Sequence, residues 1–229
     1  MVADIRKKPI YKYPDFVIKV ELKKKEGKRY WLNLKIDKNK TDRITVILKN
    51  PSQANKKISD KTVFNVLNYI HQNRERYPEL NNIGEVTILN LIPNYMTKSN
   101  RLRKFRDTII DKENIRTLNV FCARNEKVII AWGNHPSGLC REYEKLKTLT
   151  KKILITNKNK VFYVDRMTKA GNPKHGQVWG YENEFKKVSE FNPQTNTRKH
   201  KQTAKPNGAG AITCCRRVKR GGTNALLSF

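Results

Sequence analysis

Residues 43–52 read Arg-Ile-Thr-Val-Ile-Leu-Lys-Asn-Pro-Ser, a β-branched apolar run that stops at a proline. The continuous apolar stretch 46–48, Val-Ile-Leu, is typical of a strand buried on both faces of a parallel sheet. Pro51 has no amide hydrogen and biases the residue before it away from the helical region, so the strand should end there. The carboxamide of Asn50 is therefore expected at the carboxyl end of this strand, where open α/β sheets bind ligands.

Three further apolar segments alternate with amphipathic helical patterns, which predicts an α/β fold with a four-stranded, mainly parallel sheet flanked by helices. Residues 16–36 alternate with period two around a glycine-bearing turn, so an N-terminal β-hairpin is expected as a candidate antiparallel edge. The predicted strands after the first are 85–92, 127–132 and 161–164, and the predicted helices are 60–77, about 101–120 and 139–153.

The chain is strongly basic. Among its 229 residues, 49 Lys and Arg against 20 Asp and Glu give a net charge of +29, which suits a polyanion and above all nucleic acid. The alternative is that lysine is enriched throughout and much of this charge is solvated surface. We expect one domain over 1–191, with its core in 43–190. Residues 192–229 contain eight basic residues and no acid. This composition predicts a flexible tail that either binds a phosphate backbone or is only nonspecifically sticky.

The cysteines, at positions 122, 140, 214 and 215, show no C-x-x-C spacing. That pattern argues for a reducing compartment and against a zinc or iron–sulfur site. The first residues lack the apolar segment of a signal peptide, and no run approaches the length needed to span a membrane. A cytoplasmic protein without a membrane partner is expected.

The four predicted strands lead into the strings K-N-P-S, L-N-L-I-P, A-W-G and G-N-P-K-H. This series resembles a family of uncharacterised domains of phages and of mobile chromosomal cassettes in Gram-positive cocci, whose members carry N-P-S, N-L, A-W-G and a late K-x-G-x-P-x-H. The order is also similar to that of the uracil-DNA glycosylase superfamily. The resemblance covers residues 44–180 and implies a glycosylase-like sheet and hydrolysis of the N-glycosidic bond of uracil in DNA. It implies neither a metal nor a cofactor.

The resemblance also implies roles for individual residues. His175 would donate to the uracil O2 as charge develops there, Asn90 would read the uracil edge, and Asn50 would hold the attacking water. An amide is not a general base, so slower turnover than in the fastest superfamily members is expected. Pro51 and Ser52 would border the base, and Ser52 stands where those members have a tyrosine that blocks the thymine methyl group.

Other positions keep two interpretations. Phe64 would stack on the flipped base or simply pack in the core, since it lies on an apolar helix face. Lys49, Lys174 and Gln177 are candidate DNA contacts, and Gln177, Val178 or Trp179 would replace the extruded base in the stack. The string His135-Pro136-Ser137 follows the third strand directly. It is interpreted as a chance match, because the resemblance requires a helix and a strand before the loop that carries His175, called the histidine loop.

Two functions remain open at this point. The first is a monofunctional uracil-DNA glycosylase, because no lysine is placed by the motifs as a Schiff-base nucleophile. The second is a DNA-binding module that kept the scaffold and lost catalysis. Generic nucleotide binding is disfavoured, because neither G-x-G-x-x-G nor a Walker loop follows any strand. The expected partners are single- or double-stranded DNA containing uracil and replication or recombination proteins of a mobile element, and the expected state is a monomer.

Overall fold

The structure is a computed structural model that describes residues 11–189. The predicted basic tail, 192–229, lies outside the described residues. The strands are β1 (Lys19–Lys25), β2 (Lys28–Lys35), β3 (Asp42–Leu48), β4 (Ile83–Asn90), β5 (Lys127–Ile130), β6 (Lys160–Val164) and β7 (Phe185–Lys187). The α-helices are α1 (Lys61–Gln72), α2 (Pro78–Asn81), α3 (Lys112–Arg124) and α4 (Cys140–Thr156), and 3-10 helices span Ser99–Thr108 and Gly176–Val178.

The strands form one mixed sheet in the order β1-β2-β4-β3-β5-β6-β7. The pairings of β3 with β4, β3 with β5, and β5 with β6 are parallel, whereas the outer pairings are antiparallel. The carboxyl ends of β3, β4, β5 and β6 therefore share one edge of the sheet. The predicted ligand edge begins directly after Leu48, where β3 ends.

Helices cover both faces of this sheet because the central strands are apolar on both. On β3, Val46 and Leu48 point into the core beneath α1, while Ile47 points into the core beneath α3 and α4. All three side chains are at most 2% exposed. A strand that is apolar on both faces requires a cover on each side, which explains the three-layer arrangement.

The α/β class and the N-terminal hairpin are confirmed, and the hairpin joins the main sheet through the antiparallel pairing of β2 with β4. The sheet is larger and more mixed than expected, with seven strands instead of four. β7 was not predicted. It contains only three residues, too few to display a period, and its position depends on pairing with β6.

The helix expected over about 101–120 is divided into a 3-10 helix and α3. The 3-10 helix ends at Thr108, and α3 begins after Asp111, whose side chain caps it by accepting from the backbone N–H of Asn114 at 2.8 Å. Leu102 is the buried side chain of the 3-10 segment, which is otherwise rich in basic residues. With so small an apolar stripe, this segment lacks the packing that sustains a regular α-helix. No helix among residues 11–189 is long and apolar enough to cross a membrane.

Candidate active site

A cavity of about 450 Å³ opens at the carboxyl ends of the parallel strands. Lys49 and Asn50 reach it from the segment after β3, and His175 reaches it from the loop after β6. Ser52 and Gln177 also line it. Residues from two strand ends that are more than a hundred positions apart in the chain therefore meet around a single cavity.

The amide of Asn50 is held by two backbone carbonyl groups. Its Nδ2 donates to the oxygen of Met96 at 2.6 Å and to the oxygen of Pro51 at 2.9 Å. Only the NH2 end of a carboxamide can face two acceptors, so the orientation of the group is determined. Its Oδ1 receives no hydrogen bond from residues 11–189 and is left to accept one from a ligand or water.

His175 precedes the 3-10 turn Gly176–Val178, and its ring is held as a neutral donor. Its Nδ1 accepts from the backbone N–H of Gln177 at 3.3 Å, which places the proton of the neutral ring on Nε2. Burial, and then the nearby charge of Lys49, lowers the pKa of His175 to about 4. At neutral pH the ring therefore carries one N–H and no charge.

Two glycines allow His175 to approach the sheet and α1. Gly133, from the A-W-G string, has a φ of 63°, and a Cβ there would lie 3.2 Å from the Cβ of His175. Gly133 also donates its backbone N–H to the oxygen of Pro173 at 3.1 Å. A Cβ on Gly176 would lie 2.7 Å from Cγ2 of Val66 on α1. The histidine loop can therefore pack in this position only if residues 133 and 176 have no Cβ.

Asn90 is not among the residues that line the cavity. It is the last residue of β4, is 0% exposed, and neither atom of its amide has a hydrogen-bond partner. It pairs in register with Leu48, whose Cδ2 lies 3.4 Å from the position of a Cβ on Gly176. Asn90 is thus the strand neighbour of Leu48, the residue that packs close to the backbone of the histidine loop. A buried amide without partners costs about 1–3 kcal/mol for each unsatisfied group, and a ligand that supplied partners would recover this free energy.

Three other predicted positions do not line the cavity. Phe64 packs against the ring of Tyr11 with 5.7 Å between centroids. Lys174 forms an ion pair with Asp165. Trp179 is 6% exposed and packs on Tyr69 in the core.

Pro51 is buried, with its oxygen bound to the Asn50 amide. His135 does not line the cavity. Trp132 is 1% exposed in the core on the α4 side, and its oxygen accepts from the hydroxyl of Tyr143 at 2.7 Å. These placements leave Gln177 and the 62% exposed Val178 as the side chains of the histidine loop that border the opening.

Sequence reasoning missed several residues of the wall. Tyr11, Asp60, Met96 and Thr97 line the cavity but belong to none of the four strings. Asp60 is the N-cap of α1, and its Oδ1 accepts from the N–H of Val63 at 2.9 Å. No local pattern indicates that this cap also faces a cavity, because that depends on where the histidine loop packs.

The surroundings of the cavity are basic. Lys49 is half-buried, burial lowers its pKa, and it makes no ion pair or hydrogen bond with residues 11–189. Ser99, which lines the cavity, begins the longer 3-10 helix. That helix exposes Arg101, Arg103 and Lys104. A phosphate backbone lying across the opening would meet this positive surface.

A family model described as a protein of unknown function, DUF1643, matches residues 29–176. The match includes Asn50, Asn90 and His175 and covers more than half of the chain. No curated protein and no solved structure matches the chain.

Proposed function

The chain belongs to DUF1643, a family of unknown function, and we propose that it is a uracil-DNA glycosylase that hydrolyses the N-glycosidic bond of uracil in DNA. The observation that supports this most is the meeting of Asn50 and His175 in one cavity, with the unpaired, buried amide of Asn90 at the end of the adjacent strand β4. Each residue comes from a different string of the resemblance. Together they supply an acceptor for water, a neutral donor and an amide that lacks partners.

His175 stabilises the leaving base in this proposal. Cleavage of the bond leaves negative charge on uracil, and the Nε2–H donates to O2 as that charge develops. A neutral imidazole is available because the pKa of His175 is about 4. A donor aimed at a developing oxyanion contributes about 3–4 kcal/mol to transition-state stabilisation.

Asn90 selects uracil in this proposal. Its amide donates to O4 and accepts from the N3–H, a combination that cytosine does not offer. Both amide atoms are unpaired and buried, so a mismatched base would leave them unsatisfied. Because Asn90 is buried and outside the cavity wall, the proposal requires a local shift there when the base enters.

DNA binds across the basic surface beside the cavity, as the net charge of +29 favours. The everted nucleotide would enter the cavity, and Val178 or Gln177 at its border would take the place of the base in the stack. The parallel strands β4-β3-β5-β6 form the glycosylase-like part of the sheet in this proposal. The enzyme works as a cytoplasmic monomer with no metal or cofactor, and acts beside replication or recombination proteins of a mobile element.

A labelled oligonucleotide with one uracil tests the proposal directly. After incubation with the protein and then alkali, strand scission at the uracil is expected, whereas a matched oligonucleotide with thymine at that position reports background. His175→Ala and Asn90→Ala should each lower the excision rate strongly while DNA affinity stays within about twofold. Loss of DNA binding in proportion to activity would contradict these roles.

A second function has one specific observation in its favour. Asn90 is enclosed and Asn50 cannot accept a proton, which suits a DNA-binding module that has lost catalysis. The same assay separates the two functions. Salt-dependent binding of the uracil-containing oligonucleotide without scission, at enzyme in excess over DNA, would favour the module.

A further inference from the structure

The wall of the cavity contains a carboxylate that no motif of the resemblance provides. Asp60 lines the cavity together with Asn50 and His175, and among the described residues of the wall it is the sole acidic side chain. It lies at the amino end of α1, directly before Lys61. Asp60 is only 5% exposed, so solvent reaches its carboxylate mainly through the cavity.

The hydrogen bonds of Asp60 leave part of its accepting capacity unused. Oδ1 accepts from the N–H of Val63 at 2.9 Å, and Oδ2 accepts at long distances, 3.4 Å from the N–H of Gln53 and 3.3 Å from that of Ala54. A carboxylate has about four acceptor positions. One position therefore remains for a water molecule in the cavity, while the three backbone donors hold the group in place.

Asn50 cannot complete the hydrolytic step alone. Its Nδ2 is committed to two backbone carbonyl groups, so it offers the water a single acceptor, Oδ1, and an amide oxygen does not take up a proton at neutral pH. A nearby carboxylate supplies the missing function. Asp60 shares the cavity wall with the cationic Lys49 and with His175, whose ring is neutral.

We propose that Asp60 is the catalytic base of this enzyme, and that it accepts the proton of a water molecule held by Asn50. The inference rests on the proposed glycosylase function. The electron pair of the C1′–N1 bond leaves with uracil, whose O2 is stabilised by His175. The water oxygen forms the new bond to C1′, its proton passes to the Asp60 carboxylate, and that proton is then released to solvent.

The variant Asp60→Asn tests the base without removing the helix cap, because asparagine caps helices about as well as aspartate. Single-turnover excision by Asp60→Asn is expected to be at least about 100-fold slower than by the wild type, the usual size of a general-base effect. The dissociation constant for the uracil-containing oligonucleotide and the midpoint of urea unfolding should change little.

Asp111→Asn is the matched control. Asp111 is also a helix cap, with its side chain bound to the N–H of Asn114 at 2.8 Å, and it does not line the cavity. This variant should excise uracil at the wild-type rate. If it were slowed as much as Asp60→Asn, loss of a cap rather than of a base would explain both results, and the proposal would be overturned.

The possible failures are distinguishable. If the wild type excises uracil and Asp60→Asn remains within about threefold of it, Asp60 is not the base and the glycosylase function stands. If Asp60→Asn unfolds at lower urea, Asp60→Ser, which also caps helices, provides the second comparison: a slow, stably folded Asp60→Ser supports the base, and a fast one refutes it. If the wild type itself excises no uracil, both the function and this role are wrong.

Discussion

His175 links the electrostatics of the cavity to the stability of the fold. Its pKa is lowered from 6.5 to about 4 in the folded chain by burial and by the charge of Lys49. The unfolded chain therefore binds a proton on this residue between these two pH values, and the folded chain does not. The stability that the neutral ring contributes is present above pH 6.5 and is lost as the pH falls toward 4.

We expect acidification from pH 7 to 4.5 to destabilise the wild type more than His175→Gln, by about 1–3 kcal/mol. Urea unfolding of both proteins at both pH values measures the difference. Carboxylate ion pairs weaken in both proteins alike, so subtraction removes their effect. Equal losses in the two proteins would show that His175 is not buried as a neutral group.

Asn50 illustrates how local contacts decide which residue a site can use. In the resemblance, the fastest glycosylases have aspartate at this position. Here the Nδ2 donates to the oxygens of Met96 and Pro51, and a carboxylate oxygen placed there would meet two acceptors with nothing to donate.

Asn50→Asp should therefore lower the free energy of unfolding by about 1–3 kcal/mol, because it leaves buried acceptors unpaired and repelling. It should also fail to accelerate uracil excision. Asn50→Ala is the control that removes the amide without adding charge, and it should destabilise the fold less. A stable Asn50→Asp protein with faster excision would contradict the contacts described for this residue.

The 3-10 turn after His175 depends on α1 for its position. Val66 of α1 lies beneath Gly176, and Asn65 donates its Nδ2 to the backbone oxygen of Gln177 at 2.8 Å. The turn has only three helical residues, so these contacts, and not its own hydrogen bonds, hold it. The helix thus places the histidine relative to the cavity.

Gly176→Ala should shift this turn, because the new Cβ would lie 2.7 Å from Cγ2 of Val66. We expect a loss of about 1–3 kcal/mol in stability from overpacking, together with slower excision. Val66→Ala in the same protein should restore part of both, since it removes the clashing methyl group. Gly180→Ala, whose Cβ would meet Asn183 at an ordinary 3.6 Å, is the control and should be nearly silent.

The charge of the whole protein is far from neutral, at +29, but its distribution matters more than its total for the DNA binding that we propose. The 3-10 helix that begins at Ser99, in the cavity wall, exposes four basic side chains, of which Arg106 pairs with Glu142 and the other three are Arg101, Arg103 and Lys104. None of the three forms an ion pair with a described residue. On α3 and α4, the exposed basic side chains Arg124, Lys145 and Lys152 lie outside the cavity wall and offer a matched set of three.

Replacing Arg101, Arg103 and Lys104 together by alanine should weaken DNA binding and reduce the slope of log K against log salt by up to about 2.7, or 0.9 for each lost phosphate contact. The triple variant of Arg124, Lys145 and Lys152 removes the same charge and should change the slope less. Binding isotherms at several salt concentrations measure both. Equal slopes in the two variants would mean that DNA does not cross the cavity at the 3-10 helix.

The amino-acid sequence by itself determined the elements that depend on near neighbours. Apolar runs ended by Pro51 and Pro93 predicted β3 and β4, and period-two alternation predicted the hairpin. Because parallel strands end at one edge of a sheet, the meeting of Asn50 and His175 was also predictable.

Tertiary structure alone decided what depends on distant packing. It buried Trp179 against Tyr69, buried Asn90 next to Leu48 in the sheet, and turned the cap residue Asp60 into part of a cavity wall. No periodic pattern in the sequence and no unusual backbone dihedral angle predicts any of these placements. Each placement depends on which side chain from a distant part of the chain packs in the adjoining space. The residues next to it in the sequence do not contain that information.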